Sequence, residues 1–115
     1  DLKFSESSEI RLPLLWIGLL YGKVYCSLAA TTGVQTGVEV IKYLLAGADV
    51  AMTASSLYNN GIPYLRNMNK QLQQWMERMG YDDVAAFKGS MSQKHMPDPT
   101  SYERANYIKI LEGVK

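Results

Sequence analysis

Val24-Tyr25-Cys26-Ser27-Leu28-Ala29-Ala30 runs into Thr31-Thr32-Gly33-Val34-Gln35, and Thr36 then stands three residues before Glu39. The first seven residues are short, β-compatible and largely apolar, so Val24–Ala30 reads as a buried strand. The next five make a turn. Thr36 with Glu39 matches a capping box, and Val38, Ile41, Leu44 and Leu45 recur at helical spacing until Gly47. Ala48–Thr53 reads as a second strand, ending in the small residues Ala54-Ser55-Ser56. A strand, a crossover helix and another strand make a parallel βαβ unit.

Outward from this unit the pattern stays helical. Pro13 fits the first turn of a helix running to Tyr21 and stopped by Gly22, with Ser8 placed to cap it. That helix is apolar nearly all round, so it needs cover on every side. Asn59-Asn60-Gly61 is a turn, and Pro63 opens a helix ending at Gly80, with Leu65, Met68, Leu72, Trp75 or Met76, and Met79 on its apolar face. Val84–Phe87 is one further helical turn. Gly89–Pro99 is irregular, and Asp98-Pro99 begins a last helix reaching Glu112. Residues 1–9 read as a loose polar terminus or linker, and 10–115 as one segment.

Two parallel strands do not make a stable sheet, and their open edges invite further pairing. The fold class is therefore α/β, a partial (β/α)8 barrel of about two βα units with a C-terminal helical extension. It is completed by self-association, by a complementary barrel part or by missing sequence.

The chain has 115 residues, 47% of them apolar and 20% charged, with a net charge of +1. This fits one globular domain and offers no basic face for nucleic acid. The longest apolar run, Leu12–Tyr21, is about half the length needed to span a bilayer. No secretory pattern opens the chain, and its single Cys suits a reducing compartment; the expectation is a cytoplasmic protein without membrane insertion.

Function concentrates at the two strand ends. Parallel neighbours lie about 5 Å apart, so both loops leave the sheet side by side at its carboxyl edge. Small residues, hydroxyls and unpaired helix-start N–H groups there can cradle one phosphate, as the last two loops of (β/α)8 barrels often do. The same residues are also ordinary turn and capping residues. Cys26, inside a strand, is expected to be a buried structural thiol. His95 stands without ligand partners and reads as a loop residue, not a metal ligand. Asp82 and Asp83 read as capping charges, the Met68–Met79 cluster as core, and Tyr102 and Tyr107 as packing residues or a dimer contact. No catalytic residue and no metal ligand is assigned.

Leu12-Pro13-Leu14-Leu15-Trp16-Ile17, Ser27–Val34, Ala46–Val50 and Met52–Ser55 resemble the C-terminal portion of dihydroorotate dehydrogenase-like flavoproteins. The tract Lys88-Gly89-Ser90-Met91-Ser92-Gln93, with Asp98-Pro99 and Tyr102–Tyr107, resembles the tail of a bacterial branch of that family. The resemblance implies an FMN-dependent barrel that oxidises a dihydropyrimidine such as dihydroorotate. It makes Val24–Ala30 strand seven and Ala48–Thr53 strand eight, and assigns the FMN phosphate to Thr32, Gly33, Ala54 and Ser55. Many members have paired glycines where this chain has Thr32-Gly33, and Gly-Thr where it has Ala54-Ser55. The family's base and its pyrimidine-binding residues lie upstream of the matched tracts, so the isolated chain is expected to be inactive. Two alternatives remain: a non-catalytic, self-assembling partial barrel, or another phosphate-binding barrel enzyme.

Overall fold

The computed structural model describes residues 4–95. The expected final helix with Tyr102 and Tyr107 lies outside them. The described part is a mostly helical α/β unit: α1 (Arg11–Leu20), β1 (Ala29–Ala30), α2 (Gly37–Ala46), β2 (Val50–Ala51), α3 (Ser55–Asn60) and α4 (Tyr64–Met79). Single 3-10 turns cover Ser7–Ile10, Val84–Ala86 and Gln93–His95.

The strands pair in parallel, Ala29 opposite Val50 and Ala30 opposite Ala51. Both are much shorter than their sequence suggests, because a strand exists only where a partner backbone lies alongside. Leu28 O still accepts from the Asp49 N–H at 2.8 Å, but Val24–Ser27 has no such partner among the described residues. Tyr25, Cys26 and Ser27 of that stretch are exposed, and the Leu28 N–H is taken by the Asp49 carboxylate at 2.7 Å. Cys26 is thus a surface thiol, which overturns the expected buried one.

Side chains alternate across a pleat. Ala30 and Ala51 face the helices and join Ile10, Ile17, Val34, Tyr43, Ala46, Ala48 and Met68 in the core. Ala29, Val50 and Met52 lie on the other face, where Val50 and Met52 stay half exposed. Among the described residues, helices cover the sheet on one side only.

α1 begins two residues before Pro13, directly after the Ser7–Ile10 turn, so Ser8 lies inside that turn and caps nothing. It buries Leu15, Ile17 and Gly18 against α2 and β1. Leu12 and Trp16, by contrast, are about half exposed. Among the described residues this helix is covered on one flank and not on every side.

α2 follows its sequence closely. The Thr36 side chain accepts from the Val38 N–H. The Glu39 carboxylate accepts from the Thr36 N–H (2.8 Å) and the Gln35 N–H (3.1 Å). α4 packs on α2 through Tyr64 and Met68, and Gly80 ends it in the left-handed region at φ +79°. Leu65 and Met79, expected on the buried face, are exposed. Trp75 instead meets Phe87 (4.9 Å) and Tyr81 (5.7 Å), closing an aromatic cluster beneath the Val84–Ala86 turn. Asp83 caps that turn by accepting from the Ala86 N–H.

The Lys88–Gln93 tract has a clear structural role. A helix leaves its last carbonyls without partners, and here the Gly89 and Met91 N–H groups donate to Leu44 O and Leu45 O of α2. Gly89, at φ +78°, lies against the Tyr21 ring so closely that a Cβ would fall 2.5 Å from Tyr21 Cδ1. Lys88 donates to Asp49 at 2.7 Å. His95 packs by its ring edge on Tyr21, with Nδ1 2.8 Å from Gly89 O.

Candidate functional site

Because β1 and β2 are parallel and in register, their carboxyl ends release two loops side by side. The first is Thr31–Thr36, leading to α2; the second is Met52–Ala54, leading to α3. Between them lies a cleft of about 170 Å³, to which Thr32, Thr53, Ala54 and Ser55 contribute along with Ser5 from the opening stretch. Gly33 is buried beside it. The four residues singled out from the sequence thus come together at one edge of the sheet.

The loops are tied to each other. Gln35 Nε2 donates to Ser55 Oγ at 2.7 Å and to Ser5 O at 2.8 Å. Thr53 Oγ1 donates to Val34 O at 2.8 Å and lies 2.6 Å from Ser56 Oγ. The Tyr64 hydroxyl donates to Gln35 O at 3.0 Å, linking α4 to the first loop. The Gly33 N–H donates to Ser5 Oγ at 3.1 Å.

Backbone shape separates the two loops. Thr32 has φ +85° and Gly33 has φ +77°. A β-branched residue is rare in that region and strained. The second loop needs no such conformation: Ala54 has φ −130°. A side chain in place of glycine therefore meets no left-handed backbone at Ala54 but does at Thr32. At Gly33 an added Cβ would also stand 3.0 Å from Ile10 N and 3.1 Å from Glu6 O.

Chemically the cleft is uncharged. Its lining among the described residues comprises hydroxyls, the apolar side chains of Val34, Met52 and Ala54, and the Phe4 ring, with no carboxylate, imidazole or thiol. It can bind a ligand through N–H and O–H donors but holds no group able to take a proton at neutral pH. Cys26 precedes β1 and therefore lies toward the opposite end of the sheet, in a depression with Asp49 and Lys88. Among the described residues no group of three or more His, Cys, Asp or Glu could hold a metal, and no helix is long and apolar enough to cross a membrane.

Sequence reasoning missed Ser5, Gln35, Thr53 and Tyr43. Gln35 and Thr53 stand within the two loops, and their polarity beside apolar runs was the available signal. Ser5 and Tyr43 carry no such signal, because their roles depend on contacts 28 and 12 residues away in the chain.

No family model matches the chain. It is 31% identical over 61 residues to dihydroorotate dehydrogenase (fumarate) of Kluyveromyces lactis, a match covering 53% of this chain and 19% of the relative. Dihydroorotate dehydrogenase A (fumarate) of Lactococcus lactis subsp. lactis is 30% identical, over 53% of this chain and 20% of its own length. The Lachancea kluyveri dihydroorotate dehydrogenase (fumarate) is 27% identical over 62 residues. Over about half its length the chain is a distant relative of dihydroorotate dehydrogenases. It spans about a fifth of the length of these relatives. The relationship supports a dihydroorotate dehydrogenase-like region over about half of the chain.

Proposed function

We propose that the cleft holds the phosphate of FMN and that the chain is the phosphate-gripping portion of a dihydroorotate dehydrogenase-like oxidoreductase. The observation that carries this is the joining of two parallel strand ends across one uncharged cleft, by Gln35 to Ser55 and Thr53 to Val34. The fit is chemical. A phosphate needs several convergent N–H and O–H donors and close backbone approach, and Thr32, Gly33, Ala54 and Ser55 offer both. The Gly33 N–H, which now meets a hydroxyl oxygen, would meet a phosphate oxygen equally well. FMN supplies hydride-accepting redox chemistry when bound. This chain's share is to hold and orient it; no described residue at the cleft can act as the base that oxidation of a dihydropyrimidine needs. The isolated chain is accordingly inactive as a dehydrogenase.

The half-exposed Val50 and Met52 support the rest of the reading: a partial (β/α)8 barrel whose open sheet face is closed by further strands. The same face favours, as a second reading, a non-catalytic assembly of several copies. A discrete oligomer in light scattering that binds no FMN would support that one.

The test compares FMN, riboflavin and inorganic phosphate as titrants, followed by flavin fluorescence and calorimetry. FMN binding is expected to exceed riboflavin binding and to be competed by phosphate. Gly33→Val should abolish the difference. Ala54→Asp, at an exposed position on the cleft, sets a carboxylate against the phosphate without burying it and should do the same. Equal affinity for FMN and riboflavin, or a preference surviving both variants, overturns the assignment.

A further inference from the structure

We infer that Tyr43, a buried α2 residue outside the cleft, is the positioning residue that aims the first loop's amides into it. Its ring is fully buried, and its hydroxyl reaches two successive carbonyls, Thr31 O at 2.9 Å and Thr32 O at 2.6 Å. One proton is shared between two acceptors, so both carbonyls must converge on the same point. In a planar trans peptide the next residue's N–H is directed opposite to the carbonyl. Holding the carbonyls of Thr31 and Thr32 inward therefore turns the N–H groups of Thr32 and Gly33 away from Tyr43. For Gly33 the consequence is visible: its N–H meets Ser5 Oγ, and Ser5 lines the cleft.

Successive N–H groups on one side of a turn form an anion-binding concavity. The chain maintains this one against its own preference, since Thr32 is β-branched at φ +85°. A strained loop of this kind persists only if its surroundings over-determine it, and the Tyr43 hydroxyl is the contact that does so from inside. Burial pushes the Tyr43 phenol up to about 12, so it remains a donor across the neutral range. Phenylalanine would fill the same core space and leave both carbonyls unheld.

The ligand side of this role rests on the phosphate reading; the aiming of the amides does not. The experiment is Tyr43→Phe in the full chain, with 1H–15N spectra and titrations of FMN and riboflavin. Without ligand, the Thr32 and Gly33 amide signals should move in the variant, while those of Gln35 and Thr36, held by Glu39, stay in place. With ligand, the preference for FMN over riboflavin should fall on the order of tenfold, the worth of a well-placed hydrogen bond. An unaltered preference in Tyr43→Phe refutes the positioning role and leaves the phosphate reading standing. If wild-type chain shows no preference but the two amides still move, the phosphate reading fails and the positioning role stands. Unmoved amides refute the role outright. Should the variant not fold, 3-fluorotyrosine labelling of the otherwise unaltered chain gives the answer. The buried Tyr43 fluorine signal must then shift on adding FMN, and a static signal beside shifting Thr32 and Gly33 amides refutes the coupling.

Discussion

Replacing Thr32 by glycine removes a branched Cβ from a backbone held at φ +85°. An L-residue in the left-handed region costs about 1–2 kcal/mol, with β-branched residues at the upper end. Glycine avoids that cost but loses more chain entropy on folding, about 0.5–1 kcal/mol. The Thr32 side chain is half-buried, and its hydroxyl has no hydrogen bond among the described residues, so little else is lost. The net expectation is stabilisation by about 0.5–1 kcal/mol, or about 2–6 °C in Tm for a domain of this size. Thermal unfolding followed by far-UV circular dichroism measures it. Thr31→Gly is the control: Thr31 precedes the left-handed pair and has no positive φ, so glycine there should destabilise by about 0.5–1 kcal/mol. Opposite signs at adjacent threonines are a demanding result. A fall in Tm of both variants alike would refute the strained conformation, and with it the concavity that two turned amides create.

Two further perturbations probe the frame around the cleft. Gly89→Ala adds a Cβ 2.5 Å from Tyr21 Cδ1 at φ +78° and should destabilise by about 3 kcal/mol or more. Combining it with Tyr21→Ala should give much less than the sum of the two single costs in denaturant titrations, and additivity would disprove the contact. The Asp49 carboxyl is held below its ordinary range, first by the hydrogen bond from Lys88 and next by the Leu28 N–H. Its contribution is complete above the unfolded value of about 3.9 and vanishes as pH falls through the lowered folded value. Lys88 is raised by its bond to Asp49, so its contribution is complete below about 10.4 and is lost as pH rises through the raised value. With both side chains 33% exposed, the pair contributes modestly and is weakened by salt. Asp49→Asn should therefore be less stable than wild type near pH 7, with the gap closing toward pH 2. A gap independent of pH would show that the ion pair is not what holds Asp49.

What the residues settle by themselves is local. Thr36 with Glu39, Pro63 with Gly80, and Asp83 each act within a few positions, through caps and turns whose partners are near in the chain, and each is found where its pattern places it. The side-by-side loops agree with the same pattern, because a capped helix between two apolar runs supplies the crossover that a parallel pair needs. Strand length, the exposure of Cys26 and Trp16, and the bonds that knit the cleft depend on groups far apart along the chain. Leu28 to Asp49, Gly33 to Ser5 and Tyr43 to Thr31 are contacts of that kind. Propensity cannot show them, since a backbone N–H or a tyrosine hydroxyl is the same in any sequence until packing brings its partner within about 3 Å. The composition of the loops was thus readable residue by residue. The direction in which their amides point was decided only when α2 folded back and set Tyr43 beneath them.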